Sequence, residues 1–241
     1  MLIKSVNNER IRELVKLKDK KYRDKIGLFF VEGLDIVKEA YENGVLEHIY
    51  ILEGYDNPYE DIDTTNISIE VMKKISDMES ISGYYGVCRK IKERELGNKI
   101  LLLDNLQDPG NLGTIIRSGV AFNFDTIVLS NDSVDLYNPK VIRSTKGMLF
   151  KINIVNRDLK KFILENDDYL IYGTDVIKGI SVREIDKDKK IGIVIGNEGK
   201  GMSLEIKELC NKFIYIPING KCESLNAGVA ASIIMYEVNN R

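Results

Sequence analysis

The chain has 241 residues, 44% of them hydrophobic and 30% charged, with a formal net charge of −2. Such a chain can bury the cores of one large or two small domains, which excludes disorder as its main state. Its apolar runs reach only about five residues against the roughly 20 that a spanning helix needs, and MLIKSVNNERIRELVKL lacks the apolar stretch of a secretory signal. Three cysteines without a CxxC pair argue against a disulfide scaffold and a zinc site. A protein of the reducing cytoplasm, without membrane contact, is the expectation.

In chain order, Asn7–Leu17 reads as an amphipathic helix, with Ile11, Leu14 and Val15 at helical spacing. Strands are predicted at Leu28–Val31, His48–Leu52 and Tyr84–Cys88, with a helix at Leu34–Asn43 between the first two. This alternation implies a small α/β domain. Glycine, a charge cluster and an apolar run in KIKERELGNKILLLD put a boundary at residues 93–98, dividing the chain into 1–95 and 96–241.

The second part is more regular. Strands are predicted at Ile100–Asp104, Thr126–Ser130, Lys151–Val155, Tyr169–Gly173, Gly192–Gly196 and Phe213–Ile218. Helix-length segments at Leu112–Phe122, Leu159–Glu165 and Leu204–Lys212 separate them, and a last helix spans Asn226–Val238. Strands alternating with helices imply an α/β fold with a parallel sheet.

The net charge hides an uneven distribution. Residues 1–25 carry nine Lys/Arg against four Asp/Glu, and residues 26–68 carry one against ten. A basic segment holding Lys18, Lys20, Lys21 and Arg23 can be the footprint of a polyanion; the alternative is a solvated helix face with i,i+4 pairing. The only histidine, His48, stands at a strand start in the first part and is read as structural, so Ser-His-Asp and Cys-His catalysis lack support.

In open parallel sheets, ligands sit beyond the carboxyl ends of the strands. Three loops there are unusual: DNLQDPGNLGTIIRSG (104–119), IGNEGKGMS (195–203) and IPINGKCESLNAGVAAS (216–232). Gly110, Gly113, Gly196, Gly199, Gly201, Gly220 and Gly228 fall in these loops or at the adjoining helix starts, as a backbone-lined pocket would require. Neither the G-x-G-x-x-G dinucleotide fingerprint nor the G-x-x-x-x-G-K-[ST] phosphate loop is present, which disfavours a dehydrogenase or a nucleoside triphosphatase.

Taken in order, these loops carry N-L-x-D-P-x-N-x-G-x-x-x-R, G-N-E-G-x-G and I-P-I-x-G-x-x-x-S-L-N-x-x-x-A. The chain resembles the SpoU (TrmH-type) branch of the SPOUT methyltransferases over residues 99–241. Its N-terminal NNERIRELVKLKDKKYRDKIGLFFVEG is similar to the small RNA-binding domain of many rRNA-directed members, although Ser82-Gly83-Tyr84-Tyr85-Gly86 replaces the Thr-Pro-Gln-Gly of many relatives. The resemblance implies S-adenosylmethionine-dependent methylation of a ribose 2′-hydroxyl in RNA, by a homodimer whose C-terminal chain forms a deep trefoil knot containing the cofactor pocket. Large-subunit rRNA is the expected substrate. The alternatives are tRNA, or a non-catalytic RNA-binding protein of the same fold.

The chemistry requires aligned attack by a poorly acidic hydroxyl. The candidate catalytic residues are Arg117, Asn111, Glu198, Ser224 and Asn226. By resemblance, Arg117 activates the hydroxyl, directly or with an RNA phosphate; a guanidinium is a better phosphate and oxyanion ligand than a base. Glu198 would hold that arginine or the ribose, and Asn111 could equally be the N-cap of its helix. Gly196, Ile216, Leu225 and Thr174 match positions lining the cofactor pocket. Arg143 and Lys146, in the basic segment 138–147, are further candidates for RNA contact, whereas Cys222 is not assigned a thiolate role.

Overall fold

The computed structural model describes residues 2–186 and 189–239. It groups into two compact units, Met1–Lys92 with Asp135–Phe150, and Glu93–Val134 with Lys151–Arg241.

The first unit runs β1 (Leu2–Ile3), α1 (Glu9–Lys16), α2 (Lys20–Ile26), β2 (Leu28–Glu32), α3 (Leu34–Glu42), β3 (Leu46–Leu52), β4 (Thr64–Ile67), α4 (Ile69–Ile75) and β5 (Tyr84–Arg89). Its sheet has the order β1-β4-β3-β5-β2, parallel from β1 to β3 and antiparallel from β3 to β2. Asn8 caps α1 by accepting the Arg10 N–H, and Ile11 and Leu14 pack in a core with Phe30, Met72, Ile75 and Tyr85. The basic run after α1 is itself helical, because Asp19 accepts the Lys21 N–H at its start and Gly27 closes it at φ 72°. Sequence periodicity missed α2, β4 and α4, each only four to seven residues long and hence too short to display a period.

The chain continues through β6 (Lys99–Leu103), α5 (Pro109–Ala121), β7 (Thr126–Ser130), α6 (Pro139–Thr145), β8 (Asn153–Arg157), α7 (Leu159–Glu165), β9 (Leu170–Thr174), β10 (Ile180–Ser181), β11 (Ile191–Ile195), α8 (Leu204–Leu209), β12 (Lys212–Tyr215) and α9 (Ala227–Asn239). All but α6 belong to the second unit. Its seven strands form a wholly parallel sheet ordered β10-β12-β9-β11-β6-β7-β8. Central β11 is buried along its full length, as is β6 beyond Lys99, which is why both read as continuous apolar runs. Two predicted strands shift. β8 runs two residues past the predicted Lys151–Val155, and β12 stops at Tyr215, short of Ile218, because Pro217 has no N–H to offer a ladder. Among the described residues no helix is long and apolar enough to cross a membrane.

Residues 135–150, assigned to the second domain by the sequence boundary, group with the first unit. Val141, Ile142 and Phe150 are buried, and the Phe29 ring lies 4.6 Å from that of Tyr137 and 6.4 Å from that of Phe150. Arg23 helps to hold this segment, and that corrects its expected place in an RNA footprint. It is 3% exposed, donating from Nη1 to the Leu17 and Lys18 carbonyls (2.7 and 2.9 Å) and from Nη2 to Asp135 (2.5 Å). A buried guanidinium so engaged cannot reach a phosphate. Arg23→Ala leaves Asp135 without its cation and opens a cavity at the α1–α2 corner; the expected cost is about 3 kcal/mol of unfolding free energy, read from the urea midpoint. Lys21→Ser, at an exposed position, should stay within about 0.5 kcal/mol of wild type in the same measurement.

Candidate active site

Because the sheet is parallel, the loops after β6, β9, β11 and β12 emerge at one end. Those after β9, β11 and β12 enclose a cavity of about 370 Å³, a volume suited to a small molecule. Thr174, Gly196, Ile216 and Leu225 all line it, as do Glu198 and Ser224. The strand-end residues Ile195 and Ile214 contribute apolar wall.

The loop after β11 folds back on its own backbone. A Cβ on Gly196 would lie 2.3 Å from the Met202 nitrogen and 2.4 Å from the Gly201 carbonyl carbon, so only glycine fits. Asn197 and Gly201 exchange backbone hydrogen bonds of 3.0 and 2.9 Å. Asn197 Oδ1 accepts the N–H groups of Gly199 and Lys200, while its Nδ2 donates 2.8 Å to the Asn105 carbonyl in the loop after β6. Asp104, 3% exposed, accepts the Ser203 N–H at 2.7 Å. Asn197, Asn105 and Asp104 were not singled out from the sequence. The available signal was the asparagine in G-N-E-G; Asn105, at φ 57°, occupies the left-handed region that asparagine tolerates better than most residues.

Glu198 ties the second loop to the first. Its Oε1 accepts the Asp108 N–H and Asn111 Nδ2 at 3.0 Å each, and its Oε2 accepts the Gln107 N–H at 3.2 Å. The carboxylate thus sits at the amino end of α5, where the helix dipole favours it. Asp108, not Asn111, is the N-cap: its Oδ1 accepts the Asn111 N–H at 2.7 Å with Pro109 at the first helical position. That frees the Asn111 side chain for Glu198, whose partners within the chain are Asn111 and the backbone of Gln107 and Asp108 and do not include Arg117. Asn111 and Asn226 converge on Gly228, where a Cβ would meet the Asn226 and Asn111 amide oxygens at 3.2 and 3.3 Å. Asn226 also caps α9, accepting the Val229 N–H at 3.2 Å.

Arg117 does not line the cavity. It stands exposed on α5 with no hydrogen bond or ion pair to any described residue, next to Ser118, whose Oγ lies 2.7 Å from Ser232 Oγ on α9. Cys222 is exposed and its Sγ is 3.0 Å from the Ser224 carbonyl. His48 Nε2 is 2.9 Å from Thr65 Oγ1, and burial pushes its pKa down. The basic candidates of the first unit differ in availability. Lys18 donates 2.7 Å to the Ser76 carbonyl, Lys20 pairs with Asp24 at 2.8 Å and Arg143 with Asp77 at 3.2 Å. Lys21 and Lys146 are exposed and pair with no described residue.

Burial pushes the Glu198 carboxyl up, but the hydrogen bonds from Asn111 and from backbone N–H groups outweigh it and leave the pKa below the ordinary value. A depressed pKa contributes stability that is complete above the ordinary carboxylate range and is lost as pH falls through that range and below it. Glu198→Gln should therefore show a lower urea midpoint than wild type at neutral pH. The gap should close on acidification below the carboxylate range, where Glu198 is itself protonated.

Two family models match the chain: "SpoU rRNA Methylase family" over residues 98–236 and "MRM3-like substrate binding domain" over residues 8–86. The chain is 32% identical to the 23S rRNA (guanosine(2553)-2′-O)-methyltransferase of Bacillus subtilis, with 98% of each sequence covered. A crystal structure described as an RNA 2′-O ribose methyltransferase superposes with a TM-score of 0.81 at 28% identity, covering 99% of this chain and 98% of that one. An rRNA methyltransferase from Sinorhizobium meliloti shares the fold, with a TM-score of 0.87 at 24% identity over 99% of this chain and 96% of the other. With its three loop motifs gathered at one end of a parallel sheet and a family model covering more than half of its length, this chain belongs to the SpoU rRNA methylase family.

Proposed function

We propose that this protein transfers a methyl group from S-adenosylmethionine to a ribose 2′-hydroxyl of large-subunit rRNA. The observation that carries this reading is the cavity in which Thr174, Gly196, Ile216 and Leu225 converge from three separate loops. Its features fit the cofactor: apolar walls from Ile214, Ile216, Ile218 and Leu225 for a purine, charged rims at Glu198 and Lys200 for the amino acid end, and a backbone cradle at Gly196 that any side chain would fill. When bound there, S-adenosylmethionine supplies a methyl group on a sulfonium, an electrophile that needs no further activation.

The protein's part is to bind and align the ribose. Glu198 fixes the start of α5, and α5 carries Arg117, whose planar fork can hold a phosphate and an oxygen together. Ser224 and Asn226 belong to the loop that closes the cavity, with Asn226 and Asn111 beside Gly228. Arg117 lies outside its own chain's cavity, and α9 exposes Val229 (45%) and Tyr236 (51%) seven residues apart on one stripe. This supports a homodimer in which a second copy covers α9 and Arg117 serves the partner's cavity. The return of the chain supports the knot: β12 pairs with β9 on the far side of β11 from β6, yet α9 packs back against α5.

The first unit, residues 1–92 with 135–150, is read as the RNA-binding domain and the second as the methyltransferase domain, with Lys21 and Lys146 the most available phosphate ligands and Lys18, Lys20 and Arg143 open to competition from their present partners. Action on ribosomal RNA supports a cytoplasmic location.

Two variants test the reading. Gly196→Ala should abolish S-adenosylmethionine binding in calorimetry, since a methyl group collides with backbone rather than with a movable side chain. Arg117→Ala should retain the fold, because an exposed helix position accepts alanine, yet lose about 10²-fold or more in single-turnover methyl transfer at saturating cofactor. Arg117→Lys should recover little of it. Transfer at the wild-type rate by Arg117→Ala would make Arg117 a surface residue without a catalytic role.

A further inference from the structure

The loop after β11 leaves the sheet at Ile195 and returns at Ser203, and between them it carries Gly196 and Glu198. Both ends meet one residue. Asp104, which follows β6 directly, donates its backbone N–H to the Ile195 carbonyl (2.9 Å), and its Oδ2 accepts the Ser203 N–H (2.7 Å). The loop that hangs from these two bonds contains Gly196, Gly199 and Gly201, and ordering so flexible a segment from one end alone would cost much conformational entropy.

The same side chain reaches the loop by a second route. Its Oδ1 accepts Asn105 Nδ2 (3.1 Å) while Ser130 Oγ accepts the Asn105 N–H (2.9 Å), and together these bonds hold Asn105 in its left-handed turn at φ 57°. So turned, the Asn105 carbonyl accepts Asn197 Nδ2 (2.8 Å) near the start of the loop. Asp104 is 3% exposed and pairs with no Lys or Arg among the described residues. A carboxylate buried among neutral donors is an expensive anchor if stability alone is required. An amide of the same size would avoid the charge, but it offers one acceptor where two donors converge.

Resting on the methyl-transfer reading, we infer that Asp104 is a positioning residue for cofactor binding. It does not line the cavity, so it acts through the loop: by fixing both ends it forms the backbone cradle at Gly196 before S-adenosylmethionine arrives. A Cβ on Gly196 would lie 2.3 Å from the Met202 nitrogen, so the two limbs of the loop run side by side just beyond the point where Asp104 joins them. A loop already held in its binding shape spares the ligand the cost of ordering it. Where the loop is loosened, the apparent affinity falls by the fraction of molecules in which the cradle is formed. Bound cofactor then holds the loop itself, so the effect of Asp104 falls on affinity and not on the methyl-transfer step.

The test uses the full-length protein and calorimetry with S-adenosylmethionine alone. Asp104→Asn keeps the side-chain volume but turns an N–H group toward one of the two donors, which frees one tie of the loop. Its Kd should rise about tenfold or more with the number of binding sites unchanged, as expected when about a tenth of the molecules or fewer hold the cradle. Single-turnover methyl transfer to 23S rRNA transcript should return to the wild-type rate once the cofactor is saturating. Asn105→Gly keeps the left-handed turn and removes only the donor to Oδ1; it should raise Kd by a smaller factor, and it decides the question if Asp104→Asn does not fold. A wild-type Kd overturns the inference even if the number of sites falls, because a merely stabilising residue changes the folded fraction and not the affinity of the molecules that remain folded. A rate that stays low at saturating cofactor also overturns it, by moving Asp104 to the chemical step. If the wild-type protein itself binds no S-adenosylmethionine, the methyl-transfer reading falls, and the inference with it.

Discussion

The site depends on one carboxylate. Glu198 reaches from the loop after β11 to the amino end of α5 and accepts two backbone N–H groups and the Asn111 amide there. Strand ends of a parallel sheet place loops near one another but do not lock them, because each loop is long and rich in glycine. A charged acceptor at a helix start, where uncapped N–H groups need partners, supplies a directional lock. Asp108 takes the Asn111 N–H and Glu198 the N–H groups before it, so the two carboxylates divide the start of α5 without competing.

With that lock in place, the loop after β11 becomes a wall with two faces. Its fold-back at Gly196 is too tight for a side chain, and Asn197 ties it both to itself and to the Asn105 carbonyl. One face borders the cavity read as the cofactor pocket, the other a second cavity lined by Asn105, Gln107, Asp132 and Leu204.

The first unit shows how similar side chains acquire different roles. Arg23 and Lys21 stand two residues apart on α2, and the sequence gives no reason to separate them. Helical geometry turns one inward, where it caps the carbonyls ending α1 and pairs with Asp135, and leaves the other in water. Phosphate binding requires a cation that can exchange water for phosphate, and a buried guanidinium with three protein acceptors has no such freedom.

What could be read in the sequence was whatever depends on local order. The apolar runs at Ile100–Leu103 and Ile191–Ile195 announce buried parallel strands, and the family resemblance marks Gly196, Ile216, Leu225 and Thr174, which do share one cavity. Tertiary structure decided the contacts between segments distant in sequence. Asn111 could be an N-cap or a ligand by sequence, and only the position of Asp108 and the arrival of Glu198 from 87 residues away resolve it. Residues 135–150 look like part of the second domain until Phe29 meets Tyr137, and Asp104 carries no signal until both ends of the loop after β11 return to it. Periodicity reports which face of an element is buried, but hydrogen bonds and cavities depend on which elements meet, and that follows from the packing of the whole chain.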